Sequence, residues 1–175
     1  MNPSLDRLEE PGYPLAERIH LAFNVMSYNQ GFVTFADGKA NTLLLVNSII
    51  LATTGAAALG GSRVALAALG AATVAILLSL WVVYARNASP NKREKARLVF
   101  WAHILQRHEW SQYHHDLQEA SPEQILESFA HQIHDLAHVV ARKFFAYRLA
   151  QSATFLATGL WIASLAYPLL SQLGR

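Results

Sequence analysis

Charge is absent from three long stretches of the chain. Ala40–Ser62 runs for 23 residues without Asp, Glu, Lys or Arg, Val64–Ala85 for 22, and Leu149–Gly174 for 26. A helix crosses the hydrocarbon of a bilayer with roughly 20 mostly apolar residues. The pattern therefore predicts transmembrane helices at 41–60, 64–85 and 149–170. Gly60-Gly61-Ser62-Arg63 between the first two reads as a tight helical hairpin turn. Ahead of the first span, after a flexible N-terminus at 1–13, a cytoplasmic helix is expected at 14–40. Apolar or small residues recur there near a 3.6-residue period at Leu15, Ile19, Ala22, Met26, Val33 and Ala36. Pro14 suits a first-turn position, and Gly31 and Gly38 are expected to weaken and bend this helix.

Between spans two and three, residues 88–147 read as a cytoplasmic helical segment. Ala88-Ser89-Pro90-Asn91 marks a break, and a helix is expected from Lys92 to Gln118. Ser121-Pro122-Glu123-Gln124 then carries an N-cap, a first-turn proline and a glutamine at the capping-box position. The helix it starts shows Ile125, Phe129, Ile133, Leu136, Val140 and Phe144 on one face and continues into span three. The expected fold is an all-α membrane protein, with three transmembrane helices prolonged into a cytoplasmic helical bundle.

Composition narrows the function classes. The chain is 53% hydrophobic and 15% charged, against about 25% charged in soluble domains, which excludes an ordinary soluble domain. About 100 residues lie outside the three stretches, enough for one small helical module and too few for a large catalytic domain. Cysteine is absent, which removes disulfides and thiolate metal sites. The first residues are acidic and lack an early apolar core, so no signal peptide is expected. The net charge of +2 and pI near 9.0 follow from topology rather than from nucleic-acid binding. Of 14 Lys and Arg residues, only Arg63 and Arg175 fall on the side opposite the other 12. That bias places the N-terminus and the middle segment in the cytoplasm and the C-terminus outside.

Several residues carry candidate chemistry. Asp37 and Lys39 sit at the mouth of span one, either as an interfacial pair or with Lys39 meeting a ligand phosphate. Asn47, about two turns inside the bilayer, bonds a neighbouring helix or lines a pore. Small residues in spans one and two, including Gly55, Ala65, Ala68, Gly70 and Ala72, suit close packing within the hairpin or between copies. Lys92, Arg93, Lys95 and Arg97 form a basic run that suits anionic lipid. Arg97, His103, Arg107 and Tyr113 could instead supply cations and an aromatic face to a nucleotide. Glu127, His131, His134 and His138 make one stripe at i, i+4, i+7 and i+11. It lies opposite the apolar face, whereas bundle metal sites project inward, so no metal, no cofactor and no enzymatic activity are expected.

Three stretches resemble the Pycsar transmembrane effectors, small bacterial anti-phage membrane proteins. They are Phe35-Ala36-Asp37-Gly38-Lys39-Ala40 leading into Leu43–Asn47, then Phe100-Trp101 through Glu109 and Tyr113 to Ser121-Pro122-Glu123. The third is His131–Ala137 with Lys143, running into Phe155–Leu160. The resemblance covers residues 14–166 and adds Lys143 to the candidate ligand residues. It implies an effector in the bacterial inner membrane, a homo-oligomer linked to a pyrimidine nucleotide cyclase. Such an effector responds to cyclic CMP or cyclic UMP by disrupting the membrane, with growth arrest or cell death. The rival classes are a non-enzymatic membrane scaffold for a cytoplasmic partner and a metal-dependent membrane hydrolase.

Overall fold

The computed structural model describes residues 14–84 and 98–173, with the side chains of 101, 102 and 168–173 left aside. It contains α1 (Leu15–Leu59), α2 (Arg63–Tyr84), α3 (Trp101–Ile104), α4 (Trp110–Glu119) and α5 (Pro122–Leu173). Three of these helices, α1, α2 and α5, are long and apolar enough to cross a membrane. The chain divides into two compact units. One lies within Met1–Gln30 and Ala88–Ala137, the other within Gly31–Asn87 and His138–Arg175.

The second unit holds the three spans. Its core residues on α2 are Ala65, Ala68, Ala72, Ala75, Ser79 and Val82, alternating three and four apart. On α5 the same alternation nearly holds through Lys143, Ala146, Ala150, Thr154 and Ala157, and on α1 through Ala36, Ala40, Asn47, Ile50 and Thr54. This is the 3.5-residue seam of helices packed at a shallow angle. Two layers set the register. Ala36 and Ala40 meet Val82 and Ala146, while Ile50 meets Ala72 and Ala157. Residue numbers rise together on α1 and α5 and fall on α2, so α1 and α5 run parallel and α2 antiparallel. Lipid tails are as apolar as the helices, so burial gives little drive between spans and close van der Waals contact supplies it. Alanine permits that closeness. The small residues on the α2 seam therefore pack inside one chain, whereas Gly55, Gly70 and Gly159 have open space where a Cβ would stand.

The hairpin turn forms as its glycines suggest. Ser62 N–H donates to Ala57 C=O at 3.2 Å and Gly61 N–H to Ala58 C=O at 3.1 Å, the paired bonds of a Schellman end. Gly61 takes φ +86°, a conformation that costs a side chain dearly. Ser62 then caps α2 by accepting from Ala65 N–H at 3.3 Å.

In the first unit the capping box at α5 is complete. Gln124 N–H donates to Ser121 Oγ and Ser121 N–H to Gln124 Oε1. Phe129 meets Phe23 of α1 edge-on at 6.4 Å. The single helix expected over Lys92–Gln118 is corrected here. Residues 85–97, with the proposed break and basic run, lie outside the described residues, and the remainder is split into α3 and α4. No Gly or Pro stands between them, so the break is not local in origin. Arg107 Nε donates to Asp116 Oδ2 at 2.6 Å, and Tyr113 Oη donates to Leu98 C=O at 3.1 Å. In a continuous helix residues 107 and 116 would point to opposite faces about 13 Å apart along the axis. The tertiary pair excludes the helix.

Gly61→Ala is expected to lower bundle stability by about 1 kcal/mol, measured as the midpoint of SDS-driven unfolding in mixed micelles. Gly70→Ala, whose added methyl meets nothing within 4 Å, should leave that midpoint unchanged or raise it. Equal effects would show that the turn does not depend on the left-handed residue.

Candidate functional site

Among the described residues Lys143 is the largest side chain that is fully buried, at zero exposure. Lysine is almost never buried without a partner, and its surroundings explain the exception. The ammonium donates to Asp37 Oδ1 at 2.5 Å, to Val82 C=O at 2.6 Å and, more weakly, to Val83 C=O at 3.5 Å. Val82 and Val83 belong to the last turn of α2, whose carbonyls have no partner within their own helix and carry its negative dipole end. One side chain from α5 thus closes α2 and ties both helices to α1. Asp37 is on α1, and its side chain remains 20% exposed. Lys39, two residues on, is exposed and holds its ammonium over the Phe35 ring at 5.3 Å. Phe35 and Phe32 pack against Phe144 beside it.

Ten residues further along α1, Asn47 is fully buried. Its Nδ2 donates to Thr154 Oγ1 on α5 and to Leu43 C=O on its own helix, both at 2.8 Å. This is the interhelical contact of the two expectations for Asn47. The amide oxygen of Asn47 has no hydrogen-bond partner. Other hydroxyls in the spans turn back on their own helices, as Ser79 does to Ala75 C=O and Thr54 to Ile50 C=O, which removes their cost in lipid.

His103, Arg107 and Tyr113 come together in the first unit, where they bind one another rather than an open surface. Arg107 Nη1 donates to His103 C=O at 2.9 Å, and the guanidinium lies over Tyr113 at 5.4 Å. The Arg107 side chain is 8% exposed while Asp116, its carboxylate partner, is half exposed. His103 is buried edge-on to Phe100, and Trp110 is 79% exposed. Arg97 lies outside the described residues. The candidate ligand residues therefore fall into two groups, Asp37, Lys39 and Lys143 in one unit and His103, Arg107 and Tyr113 in the other. Glu127, His131, His134 and His138 are all exposed, with His131 3.8 Å from Glu127. Among the described residues no group of three or more His, Asp or Glu is placed to hold a metal ion.

Sequence reasoning missed four of these partners: Thr154, Asp116 and the carbonyls of Val82 and Val83. For the lysine a signal existed. Lys143 shares the seam spacing of Ala146, Ala150, Thr154 and Ala157, and a lone cation on such a stripe needs a partner across it.

Comparison with known families gives a match over residues 21–170 to the Pycsar effector protein domain. No curated protein and no solved structure matches the chain.

Removing one partner of a buried ion pair strands the other, at a cost of about 3–5 kcal/mol. Asp37→Ala and Lys143→Met are each expected to lower the SDS-unfolding midpoint by roughly that amount. The double variant Asp37→Leu with Lys143→Met should recover most of it, since no charge is then left buried. Simple addition of the two losses would mean that the groups do not act as a pair.

Proposed function

The chain belongs to the Pycsar effector protein family, and from that premise we propose that it disrupts the inner membrane on binding a cyclic pyrimidine mononucleotide. Membership implies a role as an anti-phage defence effector, and the three apolar helices mark a membrane protein. The finer reading is that cyclic CMP or cyclic UMP, made by a partner cyclase, binds on the cytoplasmic side. The spans of a homo-oligomer then rearrange, and growth stops or the cell dies. No catalysis is involved. The reading takes the N-terminus and middle segment as cytoplasmic and the C-terminus as outside.

The observation that carries this reading is the Lys143 junction. It ties α1, α2 and α5 together beside Lys39, where the uncharged stretch of α1 begins. A ligand gates a protein only through different affinities for two arrangements. A hundredfold difference supplies about 2.7 kcal/mol per site, and several copies add such contributions. Lys39 is the exposed cation on the turn that holds Asp37, so a ligand phosphate there acts on the junction from outside it. Arg107 offers a second cation once Asp116 is displaced. Lys143 and Asp37 hold the helices rather than the ligand in this reading.

Vesicles carrying the protein should leak on addition of cyclic CMP or cyclic UMP and not with linear CMP or UMP. Lys39→Ala should raise the nucleotide concentration needed by about tenfold, or 1.4 kcal/mol, with insertion unchanged. Asn47→Leu should reduce leakage while nucleotide binding persists, because Asn47 is buried between spans. Leakage without nucleotide, or no binding of any cyclic nucleotide, would end this reading. Reporter fusions after residues 12, 61, 120 and 175 should read inside, outside, inside and outside.

A further inference from the structure

Arg107 stands between α3 and α4 with its side chain 8% exposed, while its carboxylate partner Asp116 is 50% exposed. The acid is thus the solvent end of the pair. Two further contacts fix the guanidinium without it. Nη1 donates to His103 C=O at 2.9 Å, and the group lies over the Tyr113 ring at 5.4 Å. Asp116 accepts from Nε alone, at 2.6 Å. Arginine holds five N–H groups in a rigid fork, and an oxyanion is bound most strongly when it takes two of them side by side. Among the described residues Nη2, the arm of the fork next to Nε, donates to nothing. One carboxylate oxygen therefore fills a place that suits two.

The surface beside it is aromatic. Trp110, Tyr113 and Asp116 follow one another three residues apart on α4, and residues so spaced are neighbours on a helix. Tyr113 is held inward, its hydroxyl donating to Leu98 C=O. Trp110 is 79% exposed, with the His114 ring tilted 5.7 Å away. A tryptophan this open has no part in the core of the unit, and a flat face in water suits stacking with a nucleobase. A fixed guanidinium and an open indole, both beside Tyr113, match the two ends of a nucleotide.

We propose that Arg107 receives the phosphate of a nucleotide, that Asp116 fills this place as an internal surrogate, and that the base stacks on Trp110. The exchange swaps one counter-anion for another, so the guanidinium is never left buried and unpaired. Asp116 turns into water, which already reaches it, and an ion pair with one solvated partner holds weakly. The carboxylate is nine residues from the arginine, so it competes at the high effective concentration of a short tether. Without ligand the site is thereby closed to stray anions. A nucleotide has a second foothold in its base, which a bare phosphate lacks. That the nucleotide is a cyclic pyrimidine rests on the effector reading; the exchange at Arg107 does not.

The test is binding of cyclic CMP and of linear CMP to the full-length protein in phosphatidylcholine vesicles, by equilibrium dialysis, with helicity measured for each variant. Asp116→Asn leaves Arg107 an oxygen but removes the charge, and should tighten binding about tenfold. A carboxylate that only holds the fold predicts the opposite sign, with binding weakened or lost. Arg107→Lys keeps the charge and loses the fork, and should weaken binding about tenfold, as should Trp110→Ala. Unchanged or weaker binding by Asp116→Asn overturns the proposal. Native affinity in Arg107→Lys overturns it as well, and native affinity in Trp110→Ala overturns it by assigning the place to a bare or lipid phosphate. Linear CMP binding with these dependences, and no binding of cyclic CMP, would end the effector reading and keep the site. Leakage driven by cyclic CMP but indifferent to Asp116, Arg107 and Trp110 would end the site and keep the effector reading.

Discussion

The arrangement of the three spans depends on where one ammonium group goes. Lys143 is carried by α5 to full burial, and it has three protons to satisfy. Asp37 of α1 takes one with a full charge, and the open carbonyls at the end of α2 take the rest. Each group would be costly alone. A helix end in or near lipid has no solvent for its last carbonyls, and a carboxylate there has no counter-ion. Brought together, the three costs cancel. The geometry that cancels them fixes the register of all three helices at one end.

The rest of the bundle adds closeness rather than specificity. Alanines at the seam let the helix backbones approach, and most hydroxyls bond within their own helix, so neither chooses a partner. Asn47 is the contrast. Its bond to Thr154 reaches across from α1 to α5, at the level between the two alanine layers. Its amide oxygen without a partner is a standing cost in the same place.

The first unit solves a related problem with solvent at hand. Arg107 folds back on His103, Asp116 and Tyr113, which uses its cation internally and breaks a helix that local propensity would have continued. The histidine stripe of α5 stays on the surface, with His131 beside Glu127 one turn away. Chemistry-bearing residues are therefore abundant in this chain, but the structure spends them on holding helices together.

The charge pattern alone marked three apolar stretches, and the structure puts each of them in a helix long and apolar enough to cross a membrane. Local rules were equally legible: Gly61 ends α1, Ser121 with Gln124 starts α5, and the apolar face of Ile125, Phe129 and Ile133 lies inward while Glu127, His131 and His134 face out. These are short-range effects, decided within one or two helical turns. Partners across helices were not legible. Asp37 and Lys143 are 106 residues apart, and nothing near Asp37 in the sequence names its cation; Lys39, the nearest one, lies over Phe35 instead. The split of α3 from α4 was invisible for the same reason, because its cause is Asp116 rather than any breaker in residues 105–109. Only the tertiary structure could show that Gly31 and Gly38 face open space, since a sequence records a missing side chain but not what stands opposite it.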